Sequence, residues 1–226
     1  MEKNNPLYKN QGMHAIVSIF TVENGVVKVL LIRRKNEPFK GKWALIGGAV
    51  YNNEKILDGM RREIREKVGI TEIELRRSDI FDKVDRSPLM RMYAVSYIGV
   101  IDSARIEFLR ETLKTSDADW FSIDNIPDLA YDNNEILNSS LEDLKNKIVE
   151  TDILKSLFPN GFTMPEIQKT YESILKKKFD RRNFRRTMLS LDLVVDTNKY
   201  TKFEGKKPAK LYDFCKKSQT KNILLR

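Results

Sequence analysis

The sequence predicts an α/β chain in two parts: a three-layer α/β/α sandwich over residues 1–150, then a small unit of two helices and a hairpin over 151–226. Three observations lead there. Apolar, β-branched runs separated by turn signals fill the first part, with helical patterns between and after them. Two capped helical patterns and a hairpin pattern follow near the C-terminus. The charge also divides: residues 1–150 hold 23 Lys+Arg and 24 Asp+Glu, a net −1, while 151–226 hold 18 and 8, a net +10.

Each element has its own signal. Residues 13–22 (MHAIVSIFTV) and 26–33 (VVKVLLIR) are strands joined by Glu23-Asn24-Gly25, where Asn-Gly marks a hairpin. A polar loop with Pro and Gly covers 34–42, and Trp43-Ala44-Leu45-Ile46 reads as one short strand leading into Gly47-Gly48. Ile56, Leu57, Met60, Ile64 and Val68 recur at helical spacing, giving a helix over 53–68 with a core-facing stripe. Residues 72–84, 90–101 and 117–123 read as strands, with Asp85-Arg86-Ser87-Pro88 as a turn and Trp120 and Phe121 as core anchors. Pro127 ends the last strand, and an amphipathic helix over 133–148 closes the first part. Phe158-Pro159-Asn160-Gly161 then makes a turn at the division.

Composition narrows the classes of function. No apolar run is long enough to span a bilayer, and MEKNNPLYKNQG does not resemble a signal peptide. One cysteine, Cys215, cannot form an internal disulfide, which fits a reducing cytoplasm. One histidine, His14, is no basis for a His-rich metal site or a catalytic triad, and it reads as a strand-edge residue. The localised positive charge is the footprint of a nucleic-acid partner. A membrane surface is disfavoured because no basic helix carries a bulky apolar face.

From Gly48 to Ile70 the chain reads GAVYNNEKILDGMRREIREKVGI. Gly48, Glu54, Arg62, Glu63, Ile64, Glu66, Gly69 and Ile70 fall at the positions of the Nudix box, which this stretch resembles. The chemistry of such a box is metal-assisted: acids at i, i+3 and i+4 of a helix share a face and supply the oxygens that hold Mg²⁺. Glu63 and Glu66 supply i and i+3, but Lys67 stands at i+4, where the second glutamate of the box belongs. Its ammonium is expected where the cation should lie, leaving Glu63 and Glu66 as vestigial, weak Mg²⁺ ligands and no cofactor required. The plain alternative is a solvated helix face of ion pairs.

In the second part, Thr163-Met164-Pro165-Glu166 starts a helix with a Thr N-cap, an early Pro and a capping-box Glu. Asp180 caps a second helix, RRNFRRTMLSLDL, whose Phe184, Met188 and Leu191, with Leu189, form the buried stripe. Val194-Val195, the segment EGKKPAK and LYDF then form a hairpin. That order is a winged helix-turn-helix, with Arg181, Arg182, Asn183, Arg185 and Arg186 on the recognition helix and Lys206, Lys207 and Lys210 on the wing. Arg reads guanine and Asn reads adenine in the major groove, while wing lysines meet phosphate. The alternative is a solvated basic helix in a protein-binding domain.

Taken together the chain resembles the Nudix-related transcriptional regulators of the NrtR type. Besides the box, the resemblance rests on Gly41–Leu45, Asp85–Pro88, Leu129–Leu137, Phe162–Gln168, Asp180–Arg186 and Lys207–Tyr212. It implies a homodimer on a palindromic double-stranded operator, control of NAD metabolism, and a Nudix-like domain that senses ADP-ribose or a related nucleotide. Related members sense sugars. Candidate effector contacts are Arg34, Arg62, Glu63, Glu66 and Arg86. Ile46 stands where the family has proline, and Asn133 and Asn134 where histidine is common. Three other readings are carried: a Mg²⁺-dependent ADP-ribose pyrophosphatase, a sugar-responsive regulator of carbohydrate metabolism, and a protein that is both enzyme and regulator.

Overall fold

A computed structural model describes residues 5, 7, 9–150, 152–201 and 208–215, with side chains of 149 and 150 left aside. Its first part is a mixed sheet sandwiched by helices. Strand β1 (Gly12–Glu23) lies at the centre: it pairs in parallel with β6 (Met92–Val100) on one edge. Its other edge is shared between β4 (Ile46–Ala49) and β2 (Val26–Arg34), both antiparallel. Strand β2 also carries β3 (Trp43–Ala44) and β7 (Thr115–Ser122), and β5 (Leu75–Phe81) closes the far edge beside β6.

Period-two alternation sorts β1 between two cores. Ile16 and Phe20 face the helix α2 (Asn133–Glu150), while Ala15, Val17 and Ile19 face α1 (Ile56–Val68). Met60, Ile64 and Val68 of α1 are fully buried on the one side, and Ile136 and Leu144 of α2 on the other. The expected Asn-Gly hairpin is present, with Asn24 and Gly25 both at positive φ (52° and 82°), as a type I′ turn requires.

Several boundaries in the first part differ from the sequence reading. Trp43–Ile46 is two strands rather than one, because the Leu45 N–H leaves the sheet to donate to Asn133 Oδ1 at 2.9 Å. Helix α1 begins at Ile56 rather than 53, since Glu54 turns back to accept the Tyr51 N–H at 2.8 Å. The strand expected over 72–84 is the shorter β5. Trp120 and Phe121 are half-buried on opposite faces, Phe121 packing edge-on against Trp43 at 4.7 Å.

The second part holds helices α3 (Met164–Leu175) and α4 (Arg181–Ser190) and the hairpin of β8 (Val194–Tyr200) and β9 (Lys210–Phe214). The start of α3 follows its sequence signal: the Thr163 N–H donates to Glu166 Oε2 at 2.7 Å. Helix α4 is capped as expected, Asp180 Oδ1 accepting the Asn183 N–H at 2.9 Å. It stops at Ser190 rather than running to 193, because Asp192 takes φ 51° and the Leu193 N–H returns to the Met188 carbonyl. The core is continuous between the parts. Tyr171 is buried against Phe184, and its hydroxyl donates to the Ile148 carbonyl of α2 at 2.7 Å. The Ser173 hydroxyl of α3 likewise donates to the Gly25 carbonyl at the hairpin tip, at 2.7 Å.

Candidate functional site: a remodelled Nudix cleft and a basic helix

Arg62 organises the first site. Its Nε and Nη2 donate to the two carboxylate oxygens of Glu54 at 3.0 and 2.8 Å. Nη1 donates to Glu63 Oε1 at 2.5 Å and reaches Glu66 Oε2 at 3.4 Å, while Nη2 also holds the Ala49 carbonyl at 2.8 Å. The guanidinium lies 3.8 Å from the centroid of the Tyr51 ring. One planar fork therefore ties loop, helix and β4 together. Hydrogen bonds from Arg62 and from the Tyr51 N–H pull the Glu54 carboxyl down to about 2. Gly48 is required beside this network, since a Cβ there would run into the Glu63 carboxylate.

Lys67 is not on a solvated face. The residue is 8% exposed and Glu63 only 3%. Lys67 Nζ lies 3.1 Å from Glu63 Oε2 and also donates to the Gly47 carbonyl. Burial depresses the Lys67 pKa, and Glu63 works against that fall. Burial opposes ionisation of Glu63, yet Lys67, Arg62 and Lys114 outweigh it and keep the carboxyl below its ordinary range. Lys114, from the segment before β7, is a partner the sequence reading missed: its Nζ is 2.6 Å from Glu66 Oε2 and 3.5 Å from Glu63 Oε1. No local spacing signals it, because it arrives from a distant segment.

These residues do not fit Mg²⁺. Both box carboxylates that would ligate it are engaged by side-chain cations. Among the described residues no cluster of three or more His, Cys, Asp or Glu has an arrangement suited to a metal ion.

Two adjoining clefts open beside the box, one of about 220 Å³ and one of about 440 Å³. Arg34, Glu37, Gly48 and Lys67 line both. The smaller also takes Arg86, and the larger takes Glu63. Of the effector contacts expected from sequence, Arg34, Glu63 and Arg86 are thus brought together, whereas Arg62 and Glu66 line neither cleft. Arg34 is held by the Pro38 carbonyl at 2.9 Å and lies 5.0 Å from the centroid of Tyr131. Tyr131, which lines the smaller cleft, and its edge-on neighbour Phe39 behind it both adopt positive φ (55° and 64°). Arg86 is buried and bound in a fork to Asp132, at 2.8 and 2.9 Å.

His14 is a correction to the sequence reading. It sits between β4 and β6, not on a sheet edge, and lines the smaller cleft. Burial first, then the charges of Arg86 and Lys67, lower its pKa from 6.5 to about 4. Asn133 is also structural here: it is buried, and its carboxamide fixes Leu45 through the bond described above.

The second site is the exposed side of α4. Phe184 and Met188 are buried, while Arg181, Arg182, Asn183, Arg185 and Arg186 are exposed. Arg182 and Arg186, four residues apart, lie opposite the buried stripe. Arg186 Nη2 donates to Asn183 Oδ1 at 3.0 Å, and Arg185 Nη2 reaches the Tyr212 hydroxyl at 3.3 Å. Lys210 is paired with Asp196 across the hairpin. Lys206 and Lys207 lie outside the described residues. No helix among the described residues is long and apolar enough to cross a membrane.

Comparison with known proteins matches both parts. The NUDIX domain profile matches residues 12–142, and the NrtR DNA-binding winged helix domain profile matches 154–214. An "ADPR responsive transcriptional repressor NtrR" of Acinetobacter baylyi is 31% identical over 212 residues, 92% of this chain and 84% of that protein. An "ADP-ribose pyrophosphatase" of Methanocaldococcus jannaschii is 32% identical over 125 residues, 55% of this chain and 72% of that protein. The crystal structure of Shewanella oneidensis NrtR complexed with a 27mer DNA superposes with a TM-score of 0.73 at 25% identity, covering 89% of this chain and 93% of that one.

Proposed function

Because the chain belongs to the NUDIX family, and to its regulators that carry an NrtR winged helix domain, we propose that it is an effector-responsive transcriptional repressor in NAD metabolism. Residues 1–150 sense ADP-ribose or a related nucleotide, and 151–226 bind a palindromic operator as a homodimer in the cytoplasm. The observation that carries this reading is the outward row of arginines on α4, exposed and opposite its buried stripe. Arg181, Arg182, Asn183, Arg185 and Arg186 enter the major groove, and Lys206, Lys207 and Lys210 meet phosphate at the wing. The near-full-length likeness to a repressor named for its response to ADPR supports the effector class. Arg34, Glu63 and Arg86 form the effector wall, with Arg62 and Glu66 holding it in shape. Coupling of ~1–3 kcal/mol between the two sites is enough to change operator affinity about 5- to 150-fold.

The domain is not a working hydrolase and requires no metal cofactor in this reading, since Lys67 takes up the Glu63 oxygen a metal would need. A mobility shift on the chain's own upstream DNA tests the proposal. A specific shift reversed by ADP-ribose is expected. A shift indifferent to ADP-ribose redirects the effector to sugars or other nucleotides, and no shift above background at fixed salt defeats the regulator reading.

One specific observation favours a second reading: the likeness to a pyrophosphatase over the first part. Mg²⁺-dependent release of AMP from ADP-ribose would establish it.

A further inference from the structure

The charges of the remodelled box close on themselves. Glu54, Glu63 and Glu66 against Arg62 leave a deficit of two positive charges, which is what one divalent cation supplies. Here Lys67 and Lys114 supply it instead, on the same carboxylate oxygens. A Mg²⁺ ion entering would carry two charges into an already neutral network and would have to break the buried Lys67–Glu63 contact. A phosphorylated ligand would therefore meet side-chain cations in place of a metal, and any net positive charge must come from outside this network.

The larger cleft presents the two ammoniums and adds one cation from outside the network, Arg34. Lys67 and Lys114 both line that cleft with Arg34, whose hydrogen bonds run to carbonyl oxygens rather than to a carboxylate. Each ammonium has three donors. Lys67 directs one to Gly47 and one to Glu63, and Lys114 directs its short contact to Glu66. Each keeps donor capacity for an incoming oxygen.

Building on the nucleotide reading above, we propose that Lys67 and Lys114 are built-in counter-cations, and that with Arg34 they bind the diphosphate of the effector without any divalent metal. The site thereby separates recognition from hydrolysis: the ammoniums donate hydrogen bonds to phosphate oxygens and Arg34 adds net positive charge, but none of the three can activate a bound water as a metal does. The full chain would then respond to a nucleoside diphosphate derivative independently of the Mg²⁺ level.

Titration calorimetry of the full-length chain with ADP-ribose and with inorganic pyrophosphate, in EDTA and then in excess Mg²⁺, is the test. Equal affinity in both buffers is expected. Lys114→Ala, a half-exposed position, should weaken binding about 10- to 150-fold at an unchanged melting temperature. Lys67→Glu should bind only when Mg²⁺ is added. Binding by the parent that requires Mg²⁺ overturns the inference, as does an unchanged affinity of Lys114→Ala. If pyrophosphate binds in EDTA and ADP-ribose does not, the inference stands and the effector reading falls. If neither binds, both fall.

Discussion

Asp132→Asn isolates the Arg86 guanidinium. That side chain is 2% exposed, and its Nε lies 2.8 Å from Asp132 Oδ2. At that distance the attraction is about 6 kcal/mol for an effective dielectric near 20. Most of it offsets the desolvation of the pair, so the intact bridge contributes little net stability. Removing one partner is different: the other stays buried and uncompensated, at a cost of ~3–5 kcal/mol. For a chain of this size each kcal/mol moves Tm by about 2–4 °C, so Asp132→Asn should melt about 6–20 °C lower. Arg86→Met combined with Asp132→Leu should recover most of that loss, since no buried charge remains. A second readout is independent of stability. Arg86 is one of the charges that depress the His14 pKa, so Arg86→Met should raise the imidazole midpoint above about 4. The reasoning is refuted if Asp132→Asn melts within about 2 °C of the parent, or if the double variant is no better than the single.

Three more outcomes follow from the geometry. Arg182→Ala with Arg186→Ala should abolish specific operator binding in a mobility shift while the melting curve is unchanged, each arginine being worth ~1–3 kcal/mol; surviving binding would remove α4 from the recognition role. The chain has one histidine, so proton NMR reads it without assignment, and its midpoint should lie near 4 rather than 6.5. Above pH 6.5 the imidazole is neutral folded and unfolded, and its contribution to stability is complete. Between 6.5 and about 4 the unfolded chain takes a proton that the native site refuses. Stability then falls by ~1.4 kcal/mol per pH unit through that window, and His14→Asn should flatten the slope in denaturant titrations. Gly48→Ala should destabilise by ~1–3 kcal/mol through overpacking against Glu63, read as a lower midpoint in urea unfolding with an unchanged slope.

Much of this molecule was legible in one dimension. Hairpin, capped helices and amphipathic stripes rest on neighbours a few residues apart, and Asn24-Gly25, Thr163–Glu166 and Asp180 each behave as their local chemistry requires. The box was legible for the same reason: Arg62, Glu63, Glu66 and Lys67 share one helix, so their spacing already set the acids beside the intruding lysine. The misjudged ends of α1 and α4 came from short local turns that periodicity does not report, Glu54 on Tyr51 and Leu193 on Met188. The split of Trp43–Ile46 came from a backbone group claimed by a distant partner, Asn133, 88 positions along the chain from Leu45. The same holds for the site. Lys114 on Glu66, Asp132 on Arg86 and the enclosure of His14 between two strands depend on contacts separated by dozens of residues. Periodicity and caps report only what a residue does to its own helix or strand. Which distant charge meets a buried one is set by how the layers close, and that alone decided that the box carries its counter-cations within its own chain.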